Sequence, residues 1–298
     1  MASALKIMLD GPLGAAAFNN EFGRPTLSGF FRTYCREEAP DRYRGFHKPI
    51  MLAGGIGAIR NEHVAKGQLA PDDALIVLGG PALLIGLGGG AASSIASGES
   101  NAQLDFASVQ RGNPEMQRRA QEVLDRCWAQ GLDNPIVSLH DVGAGGLSNA
   151  LPELLQDARL GGAIELGAIP SADASLSPKE LWCNEAQERF VLGVRAQHID
   201  AFLGICARER APVAVVGRVR EARHLTLKEP LAIDLPMDVL FGRAPSLTLL
   251  AQTPKRALRA LELHGISVAD ALMRVLTLPC VARKDFLITI GDRSVGGM

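Results

Sequence analysis

The stretch Ile136-Val-Ser-Leu-His-Asp-Val-Gly-Ala-Gly-Gly-Leu-Ser-Asn149 carries the clearest structural signal in the sequence. Its first four residues form a short apolar run, which is typical of a buried β-strand. After the glycines, apolar residues recur at helical spacing, which predicts an amphipathic helix beginning near Leu147. The order of strand, glycine-rich turn and helix indicates a domain in which α and β structure pack together.

A second strand that ends in glycines lies upstream. Ala74-Leu-Ile-Val-Leu78 is predicted as a buried strand that stops at Gly79-Gly80, and Gly86-Leu-Gly-Gly-Gly-Ala-Ala-Ser-Ser94 follows it. Residues 86–91 match the Gly-x-Gly-x-x-Ala pattern of dinucleotide-binding folds. However, residues 91–98 are too short and too rich in serine and glycine for the crossover helix of that fold. The P-loop pattern Gly-x-x-x-x-Gly-Lys-Ser/Thr is absent from the sequence.

Both glycine-rich turns are candidate ligand sites. Glycine lets main-chain N–H groups face a ligand, and the start of the following helix favours anions. The phosphate of a nucleotide or of a sugar phosphate is therefore the expected ligand. The alternative is a tight strand-to-helix connection that binds nothing. Asp141 could hold Mg²⁺ or a substrate amide or hydroxyl group, or it could cap the following helix.

The remaining elements alternate between helix and strand. Asn113, Pro114 and Glu115 are suited to the N-cap and first turn of a helix, and apolar residues continue its pattern to Trp128. Residues 231–245 are rich in proline and are predicted to form a linker. The other predicted elements are strands at Pro49–Ala53, Arg189–Val194, Val213–Val216, His224–Lys228 and Asp285–Ile290, and helices at His198–Glu209 and Lys255–Leu276.

Three polar segments are further candidates for recognition. Gln110 and Asn113 precede a helix and could bind a substrate amide or phosphate, although Asn113 could also serve as a cap alone. Glu21 and Arg24 could contact a nucleotide or pair with each other. Asn184 or Glu185 in the segment 182–189 could reach a site, but the segment is predicted mainly as a structural network of polar side chains.

Composition narrows the class of protein. The chain has 298 residues and a formal net charge of −1, which argues against a nucleic-acid surface because neutralising phosphates needs a basic excess. No apolar run reaches the roughly 18 residues of a membrane span, and the first residues do not have the pattern of a secretion signal. Five scattered cysteines without a Cys-x-x-Cys pair favour a reduced, cytoplasmic setting.

Five segments that occur in order carry a resemblance to a known family. The chain resembles the large formylglycinamidine ribonucleotide synthetase, also called phosphoribosylformylglycinamidine synthase, over essentially its whole length. The segments that carry the resemblance lie at residues 11–25 (which include Phe-Asn-Asn-Glu-Phe-Gly-Arg-Pro), 45–57, 86–94, 105–115 (Asp-Phe-Ala-Ser-Val-Gln-Arg-Gly-Asn-Pro-Glu) and 140–149.

The resemblance implies an α+β fold like that of aminoimidazole ribonucleotide synthetase, a mixed sheet packed with helices between partial flanking domains. Residues 1–66 would be the tail of a first A-type half, residues 67–240 a B-type domain, and residues 245–298 the start of a second A-type half. The implied reaction is an ATP-dependent amidation. The γ-phosphate of ATP activates the amide oxygen of formylglycinamide ribonucleotide, and ammonia derived from glutamine then displaces the phosphate.

The resemblance also implies ligand-binding residues and partners. The cofactors would be ATP and Mg²⁺, and the partners would be the substrate and the remaining domains of the polypeptide. No catalytic residue and no metal ligand can be assigned. The implied ATP-binding residues are Asn20, Glu21, Phe22, Gly23 and Arg24, and the implied substrate-binding residues are Gly88, Gly89, Gly90, Gln110, Asn113, Asp141, Gly143, Gly145 and Gly146.

A chain of this extent would lack the glutaminase domain and part of the synthetase site, so we expect it to be inactive alone. A non-catalytic module that binds a nucleotide or sugar phosphate, or that scaffolds a partner, is the alternative from another functional class. A third reading is another member of the aminoimidazole ribonucleotide synthetase superfamily with a different substrate. The motifs at Phe18–Pro25 and Gln110–Pro114 argue against that reading.

Overall fold

The structure is a computed structural model in which the chain forms two compact units, residues 58–243 and residues 1–57 with 244–298. The domain boundaries expected near residues 66 and 245 stay a prediction. The residues that the structure describes are 10–11, 13–15, 19, 22, 29–53, 56–87, 113–228, 233–242, 245–252, 260, 262–278 and 281–283.

The unit that includes residues 1–57 contains a long β-hairpin. Strands β1 (Gly29–Ala39) and β2 (Arg42–Ala53) pair antiparallel around a turn at residues 40–41, where Asp41 has a φ of 59°. The strand predicted at Pro49–Ala53 is therefore confirmed as the end of a longer one. Residues 10, 11, 13–15 and 19 have helical backbone, where the sequence indicated loops and turns.

Residues 58–243 are built on a seven-stranded mixed sheet. Its strands are β3 (Ala74–Gly79), β4 (Ile136–Asp141), β5 (Gly161–Glu165), β6 (Arg189–Val194), β7 (Val213–Arg220), β8 (His224–Lys228) and β9 (Ile233–Pro236). The strand order is β4-β6-β3-β7-β5-β8-β9, and all neighbours are antiparallel except the parallel pair β5–β8. This arrangement confirms the predicted mixed sheet.

Helices cover both faces of this sheet. The described helices are α1 (Pro114–Trp128), α2 (Leu147–Asp157), α3 (Pro178–Cys183), α4 (Ile199–Arg208), α5 (Met237–Leu240) and α6 (Val268–Leu276), the last in the other unit. Asn113 caps α1 as predicted, because its side chain accepts a hydrogen bond from the Met116 N–H. The predicted helices after Gly146 and near residues 198–209 are confirmed as α2 and α4.

The central strand β3 explains why its sequence is apolar without interruption. Leu75 and Val77 pack into one core cluster with α2, whereas Ile76 and Leu78 pack into a second cluster with α1 and α4. Because side chains of a strand alternate between faces, a strand covered by helices on both sides needs apolar residues at every position. All six residues of β3 are buried.

Three sequence predictions need correction. Ile136–Leu139 is not fully buried, because β4 lies at the edge of the sheet and only Ser138 in it is buried. The predicted linker at 231–245 contains β9, which pairs with β8, and the buried Met237. Residues 255–259 and 261 of the predicted helix at 255–276 lie outside the described residues; in the described part, residues 262–267 are not helical and the helix begins at Val268, where Ser267 and Asp270 form a capping box.

The helix α6 is amphipathic and its apolar side chains are exposed. Val268, Leu272 and Met273 are 88%, 56% and 59% exposed, and no residue of this helix is buried. The strand predicted at Asp285–Ile290 lies outside the described residues. Within the described part of the chain, no helix is both long enough and apolar enough to cross a membrane.

Candidate functional site

The start of helix α1 lies beside a carboxylate from a distant part of the chain. The main-chain N–H of Asn113 donates a hydrogen bond to Oε1 of Glu188 at 2.7 Å. Burial raises the pKa of the Glu188 carboxyl, an effect that this hydrogen bond and the nearby Arg189 guanidinium oppose. A predicted substrate-binding residue is therefore joined directly to a partly buried acid.

A cavity of about 320 Å³ opens at this point. One wall comes from the chain that leaves β3, a second from the first turn of α1, and a third from the residues that precede β6. Apolar walls with a few polar groups are typical of small-ligand sites. The lining residues are Gly80, Pro81, Leu83, Ile85, Asn113, Pro114, Met116, Ala186, Gln187 and Glu188.

The glycine turn before α2 has two residues in the left-handed region, Gly145 with φ of 81° and Gly146 with φ of 63°. A Cβ atom on Gly146 would collide with the carbonyl oxygen of Asn184, so this position requires glycine. The Gly145 N–H donates to Oε1 of the buried Glu185 at 3.0 Å. The Gly145 N–H, which the sequence predicts to face a ligand, is thus already bonded to a carboxylate of the protein itself.

Asp141 is exposed at the end of β4, with 80% of its side chain accessible. It does not cap the following helix: the N-cap position of α2 is Gly146, so the capping interpretation of Asp141 is wrong. Beside it, His140 Nε2 lies 2.8 Å from Glu153 Oε2, and His140 Nδ1 lies 2.7 Å from the Asp141 carbonyl oxygen. The carboxylate of Asp141 is left facing solvent on the same loop as Gly143.

The segment 184–189 is the structural network that the sequence predicted. The Arg189 guanidinium donates to the Asn184 carbonyl and side-chain oxygens and to the Ala186 carbonyl oxygen, at 2.7–3.0 Å. Asn184, Glu185 and Arg189 are all buried. Burial lowers the pKa of Arg189 to about 10. Because Glu185 binds the glycine turn and Glu188 binds the start of α1, this network ties the two predicted ligand loops together.

The described part of the chain includes only some of the predicted site residues. Asn113, Asp141, Gly143, Gly145 and Gly146 have the positions given above, and the Phe22 N–H donates to the Asn19 carbonyl oxygen at 3.0 Å. The predicted residues Asn20, Glu21, Gly23, Arg24, Gly88, Gly89, Gly90 and Gln110 lie outside the described residues.

Two polar residues that line the cavity, Gln187 and Glu188, are not among the site residues that the sequence predicts. The polar run 184–189 was the available signal, but no local pattern shows which of its members turns toward a cavity. Glu188 has a left-handed backbone with a φ of 60°, which is uncommon outside glycine and redirects its side chain. This conformation depends on tertiary contacts, among them the hydrogen bond from the Gly80 N–H to the Glu188 carbonyl oxygen.

A larger groove of about 1090 Å³ lies elsewhere in residues 58–243. It runs between residues 58–67, the end of α1 and the edge strand β4. Arg60 stacks over the Trp128 ring there at 4.6 Å. The charged side chains that line the groove, Arg60, Glu62, Lys66 and Arg195, already form ion pairs within the protein. No predicted site residue in the described ranges lines this groove, so the smaller cavity is the better candidate.

The described residues contain no group of three or more His, Cys, Asp or Glu side chains arranged to hold a metal ion. Asp141 offers a single exposed carboxylate. Mg²⁺ in phosphoryl-transfer sites commonly takes one or two carboxylates together with substrate phosphates. The donor set that the structure describes does not by itself fit a protein-bound metal ion.

Comparison with known families places the fold. Residues 70–229 match the family described as AIR synthase related protein, C-terminal domain. The chain belongs to this family. Both predicted ligand loops and the 320 Å³ cavity fall within the matched range, and the predicted fold class is confirmed.

Solved structures share this AIR synthase related architecture. Thermotoga maritima PurL complexed with FGAR matches with a TM-score of 0.69 and 22% identity, over 86% of this chain and 41% of that chain. T. maritima PurL complexed with ATP matches with a TM-score of 0.54 and 20% identity, over 72% and 34%. T. maritima phosphoribosylformylglycinamidine synthase II matches with a TM-score of 0.53 and 23% identity, over 67% and 31%. The chain spans less than half the length of each.

Proposed function

We propose that this chain is part of the ATP-dependent synthetase region that converts formylglycinamide ribonucleotide to formylglycinamidine ribonucleotide in purine biosynthesis. In that reaction the chain belongs to a carbon–nitrogen ligase that uses ammonia from glutamine and releases ADP and phosphate. The proposal agrees with the fold shared with T. maritima PurL, whose solved complexes include FGAR and ATP. The five motifs that carry the sequence resemblance point the same way.

One observation carries the proposal: two loops expected to face the substrate are held together by a single buried network. Glu188 joins the network to the start of α1 through Asn113, and Glu185 joins it to the glycine turn through Gly145. The 320 Å³ cavity lies between the first of these loops and the network. Such a preformed, mostly apolar cavity with few polar groups is what a small substrate needs for orientation.

In the proposed reaction, the residues of this chain bind the substrate and ATP and orient them. The substrate's amide oxygen attacks the γ-phosphorus of ATP, ADP leaves, and ammonia then displaces phosphate from the activated carbon. Asn113, Asp141 and the turn at 143–146 are assigned to the substrate, and residues 20–24 to ATP. Catalysis of phosphoryl transfer depends on positioned charges, and the described residues supply only part of such a set.

The remaining partners belong to the proposal as well. Mg²⁺ would enter with ATP and neutralise charge on its phosphates, and no step is assigned to metal ligands of this chain. The other domains of the polypeptide would supply glutamine hydrolysis and the rest of the synthetase site. The scattered cysteines support a cytoplasmic setting for the reaction. No nucleic-acid or membrane partner is proposed.

The test is a binding and turnover experiment on the full 298-residue chain. Isothermal titration calorimetry with formylglycinamide ribonucleotide is expected to show saturable binding, and AMP serves as a control ligand that has a ribose phosphate but no formylglycinamide group. With MgATP, substrate and ammonium, we expect no substrate-dependent release of ADP, because the described residues supply only part of the positioned charges that phosphoryl transfer needs. Failure to bind the substrate would contradict the proposed function. ADP release that requires both substrate and ammonium would show that these residues contain a complete synthetase site.

A further inference from the structure

The 320 Å³ cavity has three polar side chains in its lining, and two of them are already engaged within the protein. The Asn113 side-chain oxygen accepts from the Met116 N–H at 3.1 Å, and the Gln187 side-chain nitrogen donates to the Glu185 carbonyl oxygen at 3.0 Å. Glu188 uses Oε1 to accept from Asn113. Among the described residues nothing donates to its Oε2. Glu188 is therefore the charged residue of this lining, and its Oε2 can accept a hydrogen bond from a ligand.

None of the contacts of Glu188 with described residues requires a charged side chain at this position. It forms no ion pair with a described residue, and the adjacent Arg189 guanidinium is directed to Asn184 and Ala186 instead. Burial raises the pKa of the Glu188 carboxyl, so ionising it in this place is less favourable than in water. A glutamine would accept the Asn113 N–H equally well without that cost. A destabilised charge that lines a cavity is a candidate for a functional role.

The backbone holds this carboxylate in position before any ligand arrives. Glu188 adopts a left-handed conformation, and its carbonyl oxygen accepts a hydrogen bond from the Gly80 N–H at 3.1 Å. A Cβ atom at Gly79 would collide with the same carbonyl oxygen, so the turn and the exit of β3 are closely packed. A fixed acceptor of this kind binds a donor with little loss of side-chain freedom.

We propose that Glu188 determines which part of the substrate enters the cavity, by accepting a hydrogen bond from a neutral hydroxyl or amide N–H group. A phosphate would place two anions in contact in a partly desolvated site, so the phosphate binds elsewhere. Within the proposed function, on which this inference rests, the cavity takes the sugar hydroxyls or the amide of formylglycinamide ribonucleotide. Glu188 is thus a specificity-determining residue.

The experiment compares wild type, Glu188→Gln and Glu221→Gln by calorimetry with formylglycinamide ribonucleotide. Glutamine keeps an acceptor for Asn113 but presents a donor in place of Oε2. Glu188→Gln is expected to weaken binding about tenfold or more, because a charged acceptor loses its ligand hydrogen bond. Glu221 is an exposed acid between β7 and β8, and its variant is expected to bind like wild type. Urea unfolding checks that each variant is folded.

The outcomes separate this inference from the proposed function. If wild type binds the substrate and Glu188→Gln binds it as tightly or more tightly, Glu188 is not a recognition group, although the proposed function stands. If wild type does not bind the substrate, the proposed function fails and the inference with it. Should Glu188→Gln not fold, Glu188→Asp takes its place, because it keeps the charge but withdraws it by one methylene. Wild-type affinity in that variant would overturn the inference.

Discussion

Oε1 of Glu185 accepts a hydrogen bond from the main-chain N–H of Gly145 at 3.0 Å, across 40 residues of sequence. Glu185 is buried, and its own N–H donates to the Ile85 carbonyl oxygen at 3.3 Å. The same residue therefore meets the glycine turn before α2 and the chain that leaves β3. Because both turns depend on one side chain and its backbone, they are expected to form and to unfold together.

Replacing Glu185 with alanine is expected to destabilise the fold. The change leaves the partly buried Gly145 N–H without its acceptor, which costs about 1 kcal/mol or more. Glu185→Gln keeps an acceptor and is expected to lose less. Urea unfolding monitored by circular dichroism measures the free energy of unfolding for both variants. Glu165→Ala, at an exposed position on β5, is the matched control. Equal stability of Glu185→Ala and wild type would mean that the hydrogen bond to Gly145 contributes nothing to the fold.

Glycine at 146 and glycine at 204 are expected to respond oppositely to alanine. Gly146 has a left-handed backbone and its Cβ would strike the Asn184 carbonyl oxygen, so Gly146→Ala should destabilise the protein by about 2 kcal/mol or more. Gly204 lies inside α4 with open space around its Cβ position. Gly204→Ala should therefore stabilise the protein by about 0.5–1 kcal/mol. Thermal unfolding compares the two, and a stabilising Gly146→Ala would contradict the geometry of this turn.

The cysteines are expected to differ in their reactivity toward alkylating agents. Cys127 and Cys206 are buried in the core between α1 and α4, and burial raises the pKa of each thiol to about 12. Cys35 is exposed on β1. Since the thiolate is the reactive form, iodoacetamide at about pH 8 should modify Cys35 quickly and leave Cys127 and Cys206 intact until urea unfolds the chain. Peptide mass spectrometry locates the modified residues. Rapid labelling of Cys127 in the folded chain would be incompatible with this core.

Structural features that depend on neighbouring residues could be predicted from the sequence. Asn113 caps α1 because its side chain needs only the N–H of Met116 three positions on, and the run 74–78 is apolar because both faces of β3 are covered. Burial of β4 was overestimated, because the position of a strand within a sheet depends on its partners. The sequence predicts a linker where β9 lies, because the pairing of β9 with β8, in which Leu225 lies opposite Leu235, is not a local property.

The candidate site was predictable only in part for the same reason. The glycine turn at 143–146 and Asn113 could be predicted as candidate ligand loops from their own sequences. The bond from the Asn113 N–H to Glu188 joins residues 75 positions apart, and no spacing rule links them. The Glu188 side chain reaches the cavity because the backbone of this residue is left-handed, and no local sequence pattern predicts that conformation. A polar run of this kind can be recognised from sequence, but the member that faces the ligand cannot.

Stability is expected to depend on pH through Glu188. Its pKa in the folded protein is raised above the ordinary value of 4.5, mainly by burial. The folded state therefore holds this proton more tightly than the unfolded state does. The stabilising contribution of the protonated carboxyl is fully present below pH 4.5 and is lost as the pH rises through the folded-state pKa.

Glu188→Gln removes this titration while keeping an acceptor for Asn113. The variant should therefore gain stability relative to wild type between about pH 4 and about pH 7.5, and the direction of that change is the prediction. Urea unfolding at the two pH values, with Glu221→Gln as the exposed control, measures it. If the difference between wild type and Glu188→Gln is the same at both pH values, the ionised carboxylate carries no cost in the folded protein. Ligand recognition by Glu188 would then have no energetic cost in the free protein to explain.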